Sequence, residues 1–339
     1  MRNLVTVPKI LLVKLSSLGD VIHTFAAACD LHRHQPQSKI TWLVEEAYAD
    51  LVRQHRAIDN VWTVPFRRIK KDPKNWRALQ PLISTLRSNH FDYAIDAQGL
   101  IKSALIMRFA RCPKRIGYDA QSAREAAAHF FYHQTISVTK KMHAVERTRQ
   151  LFANAFEYSL TDQQLDYGLP TWQAQNNTLI FIHGTTWRSK LLPESCWRTL
   201  IAQAQNAGFQ IRLPWGDKTE YERAQRLISG FPAAQCFPAL SLPQLRQAII
   251  HCAGVITVDT GLGHLAAACE APTLGIFAAT DAQKSGMYGI RSDNLALTNP
   301  CMQKDCRQHG AHDENACMHH WSAEIIWQRF LALKSKTSH

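Results

Sequence analysis

The chain has 339 residues, 46% hydrophobic and 19% charged, with a net charge of +12. That length can fill two hydrophobic cores, so two domains are expected. No run approaches the roughly 18 uninterrupted apolar residues of a membrane span, and Met-Arg-Asn-Leu-Val-Thr-Val-Pro-Lys at the start has no signal-peptide character, so a cytoplasmic location is expected. The charge is uneven: residues 1–160 hold 24 Lys/Arg against 13 Asp/Glu, and residues 161–339 hold 15 against 14. Such asymmetry implies an anionic partner for the first half: nucleic acid, an acidic membrane surface, or a phosphorylated or carboxylated substrate.

Lys9-Ile-Leu-Leu-Val-Lys14 reads as a strand covered on both faces of a parallel sheet. A loop, Leu15-Ser-Ser-Leu-Gly-Asp20, and a helix opening at Val21 follow it. Asp20 either caps that helix or, at the carboxyl end of a strand, accepts a proton from a bound ligand. Further strands are predicted at 39–44, 61–64 and 93–96, alternating with polar or helical segments, which is the pattern of a parallel sheet between helices. Phe66-Arg-Arg-Ile-Lys-Lys-Asp-Pro-Lys74 reads as a cationic loop. Its mixed signs and few interleaved aromatics argue against nucleic acid, and discrete Arg/Lys contacts to phosphate or carboxylate suit it better. Asp96-Ala-Gln-Gly-Leu100 closes a strand, and Gln98 and Gly99 are expected to face the same site as Asp20. Helical periodicity is read over residues 120–156, with Arg124, His143, Glu146 and Arg147 as charged markers. Between Asp162 and Asn177 the chain turns polar and Pro-containing, which sets the expected boundary between domains 1–170 and 171–339.

The second half repeats the pattern. Strand 178–183 leads into Gly184-Thr-Thr-Trp-Arg-Ser-Lys190, whose Gly, hydroxyls and Lys could bind a diphosphate, or which is an ordinary polar loop. Pro193-Glu194 marks a helix start. A strand over 210–216 precedes Asp217, Glu220 and Glu222, acids placed to bind ribose hydroxyls or, for Glu222, simply to be solvated. Gly254-Val-Ile-Thr-Val-Asp-Thr-Gly-Leu-Gly-His264 reads as a buried strand, a tight turn and a helix N-terminus, where unpaired N–H groups and the helix dipole favour an anion, or as the ordinary strand-turn-helix of an α/β domain with Asp259 only a capping residue. A last strand is expected over 272–277. Six cysteines (Cys29, Cys112, Cys196, Cys236, Cys252, Cys269) read as reduced packing residues.

Lys14-Leu-Ser-Ser-Leu-Gly-Asp20, Asp96-Ala-Gln-Gly-Leu, His143-Ala-Val-Glu-Arg147, Thr185-Thr186 with Lys190, Leu213-Pro-Trp-Gly216 and Asp259-Thr-Gly-Leu-Gly-His264 together resemble the ADP-heptose:lipopolysaccharide heptosyltransferases, glycosyltransferase family 9, most nearly type I. The resemblance covers roughly residues 9 to 298 in order. It implies an α/β fold of the GT-B kind, with two Rossmann-like domains of parallel sheet facing a central cleft, the acceptor on the first and the nucleotide sugar on the second. It implies inverting transfer of L-glycero-D-manno-heptose from ADP-heptose to a Kdo residue of the lipid A inner core, at the cytoplasmic face of the inner membrane. No nucleic acid and no required cofactor enter, and the chain is expected to act as a monomer.

Matched residue by residue, the resemblance makes Asp20 the general base and Lys190, with Thr185 and Thr186, the group that stabilises the departing diphosphate. Glu220 would bind ribose, Leu240 would lie beside adenine, and Asp259, Thr260, Gly261, Leu262, Gly263 and His264 would contact the donor. Arg67, Arg68, Gln98, Arg124 and His143 would bind the anionic acceptor.

There are departures. Gly263 stands where many members have Ser, which is read as a hydroxyl lost from the phosphate turn. Cys301, Cys306 and Cys317, interleaved with His309, His312, His319 and His320, are weak candidates for a metal clip, and a surface loop with unbound thiols is the preferred reading. Alternative acceptors are phosphorylated Kdo and a heptose. More distant alternatives are a nucleotide-dependent epimerase or oxidoreductase, disfavoured because the first turn lacks G-x-G-x-x-G, and a non-enzymatic anionic-lipid binder.

Overall fold

The computed structural model describes residues 7–160, 164–300 and 316–337. The chain divides into two compact units, Met1–Leu169 and Pro170–His339. In the first unit the elements are β1 (Lys9–Val13), α1 (Leu18–His34), β2 (Lys39–Glu45), α2 (Ala49–Val52), β3 (Asn60–Val64), α3 (Phe66–Lys71), α4 (Leu79–Ser88), β4 (Tyr93–Asp96), α5 (Ile101–Met107), β5 (Lys114–Tyr118), β6 (Gln134–Ile136) and α6 (Ala144–Phe156). Short 3-10 turns lie at Pro73–Ala78 and Ala126–Phe131. The second unit runs β7 (Thr178–Ile182), α7 (Glu194–Asn206), β8 (Gln210–Leu213), α8 (Lys218–Ile228), β9 (Ala234–Cys236), α9 (Leu242–His251), β10 (Gly254–Val258), α10 (Gly261–Ala268), β11 (Thr273–Phe277), α11 (Ala282–Ser285), β12 (Ser292–Ala296) and α12 (Ala323–Thr337).

Each unit is one six-stranded parallel sheet, in the order β3-β2-β1-β4-β5-β6 and β12-β11-β10-β7-β8-β9. Counted from each unit's first strand, both orders are 3-2-1-4-5-6, the Rossmann arrangement that the family resemblance implied, where the βα alternation by itself led only to a parallel sheet between helices. In such sheets the crevice at the carboxyl ends opens where the order reverses, because the loops on either side of the switch point diverge to opposite faces. The switch points lie between β1 and β4 and between β7 and β10. Two loops therefore meet at each: those after β1 and β4, and those after β7 and β10.

The central strands are the most apolar because helices cover both faces. Ile10 through Val13 and Val255, Ile256 and Val258 are fully buried. Leu11, Val13, Leu82, Leu86, Ala104 and Met107 build a core on one face of the first sheet, while α1 and α6 pack together on the other. In the second unit Trp197, Leu200, Ile326 and Phe330 pack α7 and α12 against Leu179, Phe181 and Leu274.

Two readings of the sequence need correction. The cationic segment from Phe66 is not a loop but α3 followed by a 3-10 turn, with Asp72 capping the turn through Lys74 N–H at 3.0 Å. Residues 120–143 are not helical: they form the turn at 126–131 and β6, and only 144–156 is helix. Tyr132 explains the difference, since its hydroxyl donates to buried Asp96 at 2.8 Å and draws this stretch onto the sheet.

Candidate active site

At the first switch point the loop after β1 is tied to the loop after β4. Buried Lys14 donates from Nζ to the Ala97 carbonyl at 2.8 Å. The Leu15 and Ser16 N–H groups donate to Gln98 Oε1 at 3.0 and 3.2 Å. Asp96 anchors the second loop, its Oδ1 accepting from Gln98 N–H at 2.7 Å and Gly99 N–H at 3.2 Å, its Oδ2 from Ser103 and Tyr132. Burial pushes the Asp96 carboxyl up, against the pull of these bonds. Gly99 has φ of +66°, and a Cβ there would stand 3.2 Å from the Tyr118 ring and 3.3 Å from Arg124 N, so glycine lets the loop bearing Arg124 close in.

Asp20 occupies the third position of α1, and Ser17 is its N-cap. Its Oδ2 accepts from the Ser17 N–H and hydroxyl, each at 3.0 Å, and the Arg124 guanidinium is 3.9 Å from the same oxygen. The capping reading is thus realised, yet it uses one oxygen only: Oδ1 meets no donor among the described residues. Burial works to raise this carboxyl, but Lys14, the Ser17 hydrogen bond and Arg124 outweigh it and hold it below the usual carboxylate range. Asp20 is ionised at neutral pH with one oxygen open.

The remaining cationic candidates surround this end of the unit. Arg67 lies over the Tyr48 ring at 4.7 Å and donates to its hydroxyl, while its backbone N–H donates to Glu45 Oε1 at 3.0 Å. Arg68 pairs with Glu46 at 3.3 Å. His143 caps α6 by accepting from Val145 N–H at 3.2 Å, and its ring meets His23 of α1 edge-on at 5.7 Å. Gln98 is turned inward onto the loop backbone, so it orders the site rather than presenting its carbonyl to a ligand. Sequence reading gave no role to Lys14 or Tyr48; Lys14 ends an apolar run with a cation, a visible signal, and Tyr48 offered none.

At the second switch point three loops converge on Asp259, which is 6% exposed. Its Oδ2 accepts from Lys190 Nζ and from the Thr280 hydroxyl, both at 2.6 Å, and His264 Nε2 is 3.6 Å from Oδ1. The Thr185 hydroxyl donates to the Asp259 carbonyl at 2.9 Å. Lys190 also rests over the Trp187 ring, 4.3 Å from its centroid. Burial acts to raise the Asp259 carboxyl, but the bond from His264 and the charge of Lys190 pull it well below the carboxylate range. Thr260 is the N-cap residue of α10 and its side chain makes no capping bond, so the N–H groups of Gly261 and Leu262, in the helix's first turn, have no intrahelical partners. Thr280, at the end of β11, was not singled out by the sequence reading.

The departure at Gly263 takes a different meaning. A Cβ there would lie 2.7 Å from Met287 Cε and Thr257 Cγ2. A serine side chain would enter the core, not the phosphate turn, so glycine here reflects close packing of α10 on β10. Glu220 lies across two loops: Oε2 accepts from Gly216 N–H at 2.7 Å, and a Cβ on Gly184 would stand 2.4 Å from Oε1. Leu240 is half-buried in the connection before α9, and Thr186 is exposed.

The six scattered cysteines are all free thiols, Cys29, Cys112, Cys252 and Cys269 buried and Cys196 and Cys236 half-buried. Cys301 and Cys306 lie outside the described residues. Cys317 is not on a surface loop: it sits in the 3-10 turn Ala316–His320, packed against the second core. Among the described residues no group of three or more His, Cys, Asp or Glu is placed to hold a metal ion.

The model of glycosyltransferase family 9 (heptosyltransferase) matches residues 79–313. The chain belongs to glycosyltransferase family 9. It is 41% identical over 312 residues to lipopolysaccharide heptosyltransferase 1 of Pseudomonas aeruginosa, covering 88% of this chain and 87% of that one. To the enzyme of the same name from Escherichia coli K12 it is 38% identical, over 83% and 91%. The solved E. coli heptosyltransferase WaaC with ADP superposes with a TM-score of 0.85 at 33% identity, over 96% of this chain and 99% of that one. This heptosyltransferase thus has the GT-B fold that its motifs implied, and the epimerase, oxidoreductase and non-enzymatic readings fall away.

Proposed function

We propose that this heptosyltransferase moves L-glycero-D-manno-heptose from ADP-heptose to a Kdo residue of the lipopolysaccharide inner core, with inversion at the anomeric carbon, at the cytoplasmic face of the inner membrane. The observation that carries the reading is the pairing of chemistries at the two switch points: an ionised carboxylate with a free oxygen in one unit, and a lysine held at a helix N-terminus in the other. The relatives' names supply the lipopolysaccharide class of acceptor, and solved E. coli WaaC structures hold ADP or ADP-2-deoxy-2-fluoro heptose.

In this mechanism Asp20 Oδ1 takes the proton of the acceptor hydroxyl as its oxygen bonds to the anomeric carbon. The bond to the diphosphate breaks, and its electron pair leaves on the β-phosphate of ADP. A carboxylate held below its usual range is a weak base, so proton transfer accompanies bond formation rather than preceding it. Lys190 and the N–H groups of Gly261 and Leu262 meet the charge gathered on the diphosphate. Asp259 stays ionised beside Lys190 and fixes its position, while Thr185, Thr186 and His264 line the same turn. Glu220, spanning Gly184 and Gly216, is suited to ribose hydroxyls, and Leu240 to the adenine. Arg67, Arg68, Arg124 and His143 bind the carboxylate and phosphates of the acceptor, with Gln98 holding the Asp20 loop.

The test is transfer from ADP-heptose to Kdo2-lipid A, phosphorylated-Kdo lipid A and heptosylated core, read by product mass. The proposal expects one added heptose on Kdo2-lipid A and acceptor-dependent ADP release. Transfer only to one of the other two acceptors would overturn the acceptor assignment.

A further inference from the structure

The loop between β7 and α7 carries Thr185, Thr186 and Lys190, and one side chain from another helix holds both of its ends. Arg223, on α8, donates from Nη1 to the His183 carbonyl at 2.8 Å and from Nη2 to the Leu192 carbonyl at 2.6 Å. Its side chain is 11% exposed. Glu194 Oε1 stands 3.7 Å from its Nε and pairs more closely, at 2.8 Å, with exposed Arg226. The two short bonds of Arg223 therefore go to backbone carbonyls, and its planar fork fixes the direction of both acceptors at once, which an ammonium does not. The middle of the loop is held separately, by the Thr185 hydroxyl on the Asp259 carbonyl and by Lys190 Nζ on the Asp259 carboxylate. Lys190 leaves the backbone two residues before Leu192, so the place of the Leu192 carbonyl sets where the lysine stem begins. Three residues before Arg223 on the same helix, Glu220 packs on Gly184 and accepts from Gly216 N–H at 2.7 Å. Residues three apart share a helix face, so one helix registers the acid proposed for ribose against the loop that bears the lysine.

We propose that Arg223 is a positioning residue for heptosyl transfer: by bridging the His183 and Leu192 carbonyls it holds the β7–α7 loop where Lys190 meets the diphosphate as the sugar leaves. This rests on the role proposed above for Lys190, through which Arg223 acts. A guanidinium removed from water is costly unless its donors are satisfied, and here the acceptors that satisfy it are the two ends of a loop rather than an acid of the core. An arginine that served stability alone would lower the melting temperature and leave the folded enzyme's chemistry unchanged. A positioning arginine lowers kcat only while the lysine is there to be placed.

A double-mutant cycle in the full chain tests the proposal, with Arg223→Gln, Lys190→Ala and the pair, each read by kcat, by the KM for the acceptor that supports turnover, and by melting temperature. Arg223→Gln should lower kcat about ten- to a hundredfold, the scale of a misplaced catalytic group, with the acceptor KM unchanged. Arg223→Lys, which keeps the charge but not the fork, should stay well below the parent. In the Lys190→Ala background Arg223→Gln should change kcat by less than about twofold, because the group it places is gone. Parental kcat in Arg223→Gln would overturn the proposal, and so would the same fold-loss in both backgrounds, which is the mark of a structural role. If Arg223→Gln does not fold, Arg223→Lys carries the same cycle with the same outcomes. Lys190→Ala at parental kcat would refute the leaving-group role of Lys190 first, and the positioning role with it; a loss in Lys190→Ala with none in Arg223→Gln would refute the positioning role alone.

Discussion

Gly263 shows how a single position misleads when only its residue type is known. Read from the sequence, it looked like a missing hydroxyl in the phosphate turn; in the fold its Cα faces Thr257 and Met287. Gly263→Ser should therefore destabilise the protein by about 1–3 kcal/mol through overpacking, seen as a lower melting temperature, with no gain in donor affinity. An unchanged melting temperature with a lower KM for ADP-heptose would restore the phosphate-turn reading. Asp20 is the opposite case. Its capping and proton-accepting readings looked like alternatives, yet the capping bonds take one oxygen and leave the other open for the proposed base role. Thr280 and Tyr48 were illegible because their partners, Asp259 and Arg67, lie 21 and 19 residues away and only the fold joins them.

Among the elements, the most legible strands were β1, β7 and β10, whose apolar runs are buried on both faces. β2, β3, β4, β8 and β11 were read from shorter apolar stretches and their place in the βα alternation. β6 and β9 escaped notice because each is a three-residue strand at a sheet edge, too short for any period. β5 and β12 were hidden by polar residues such as Lys114, Arg115, Ser292 and Asp293. The loops after β1 and β4 could each be placed at a strand end, but not their connection through Gln98. Gln98→Leu removes the acceptor for two backbone N–H groups, so the Asp20 loop should loosen. kcat should drop about tenfold or more, the scale of misplaced catalytic groups, while the Kd for ADP-heptose stays put. Equal loss of donor affinity would show that Gln98 supports more than the first site.

Over the whole molecule, each unit carries a histidine kept neutral by its core. Burial brings His55 down to about 3 and His183 down to about 4. Unfolded, each regains a pKa near 6.5, so below that pH the unfolded chain binds the extra protons. The stabilisation is complete above pH 6.5 and declines as pH falls toward the folded values. At pH 5 the cost is about 2 kcal/mol per histidine. In the first unit Asp96, raised by burial, works in the opposite sense at acid pH, while Asp20, held low, adds to the loss. Melting followed from pH 7.5 to 5 should show this decline, and His183→Leu should flatten it; a profile that rises on acidification would contradict the assignment.

The two Rossmann units, though built alike, carry different chemistry: an ionised carboxylate on a capped helix in one, the proposed base, and a lysine, a buried carboxylate and a helix N-terminus in the other. The most direct measurement of that division is steady-state turnover by Asp20→Asn alongside its Kd for ADP-heptose. The variant keeps the shape of the side chain and an oxygen for the Ser17 cap, but loses the proton acceptor. The account predicts a kcat lower by about 10²–10⁴ with donor binding unchanged. Turnover within a few-fold of the parent would contradict it, and would move the base elsewhere on the first unit.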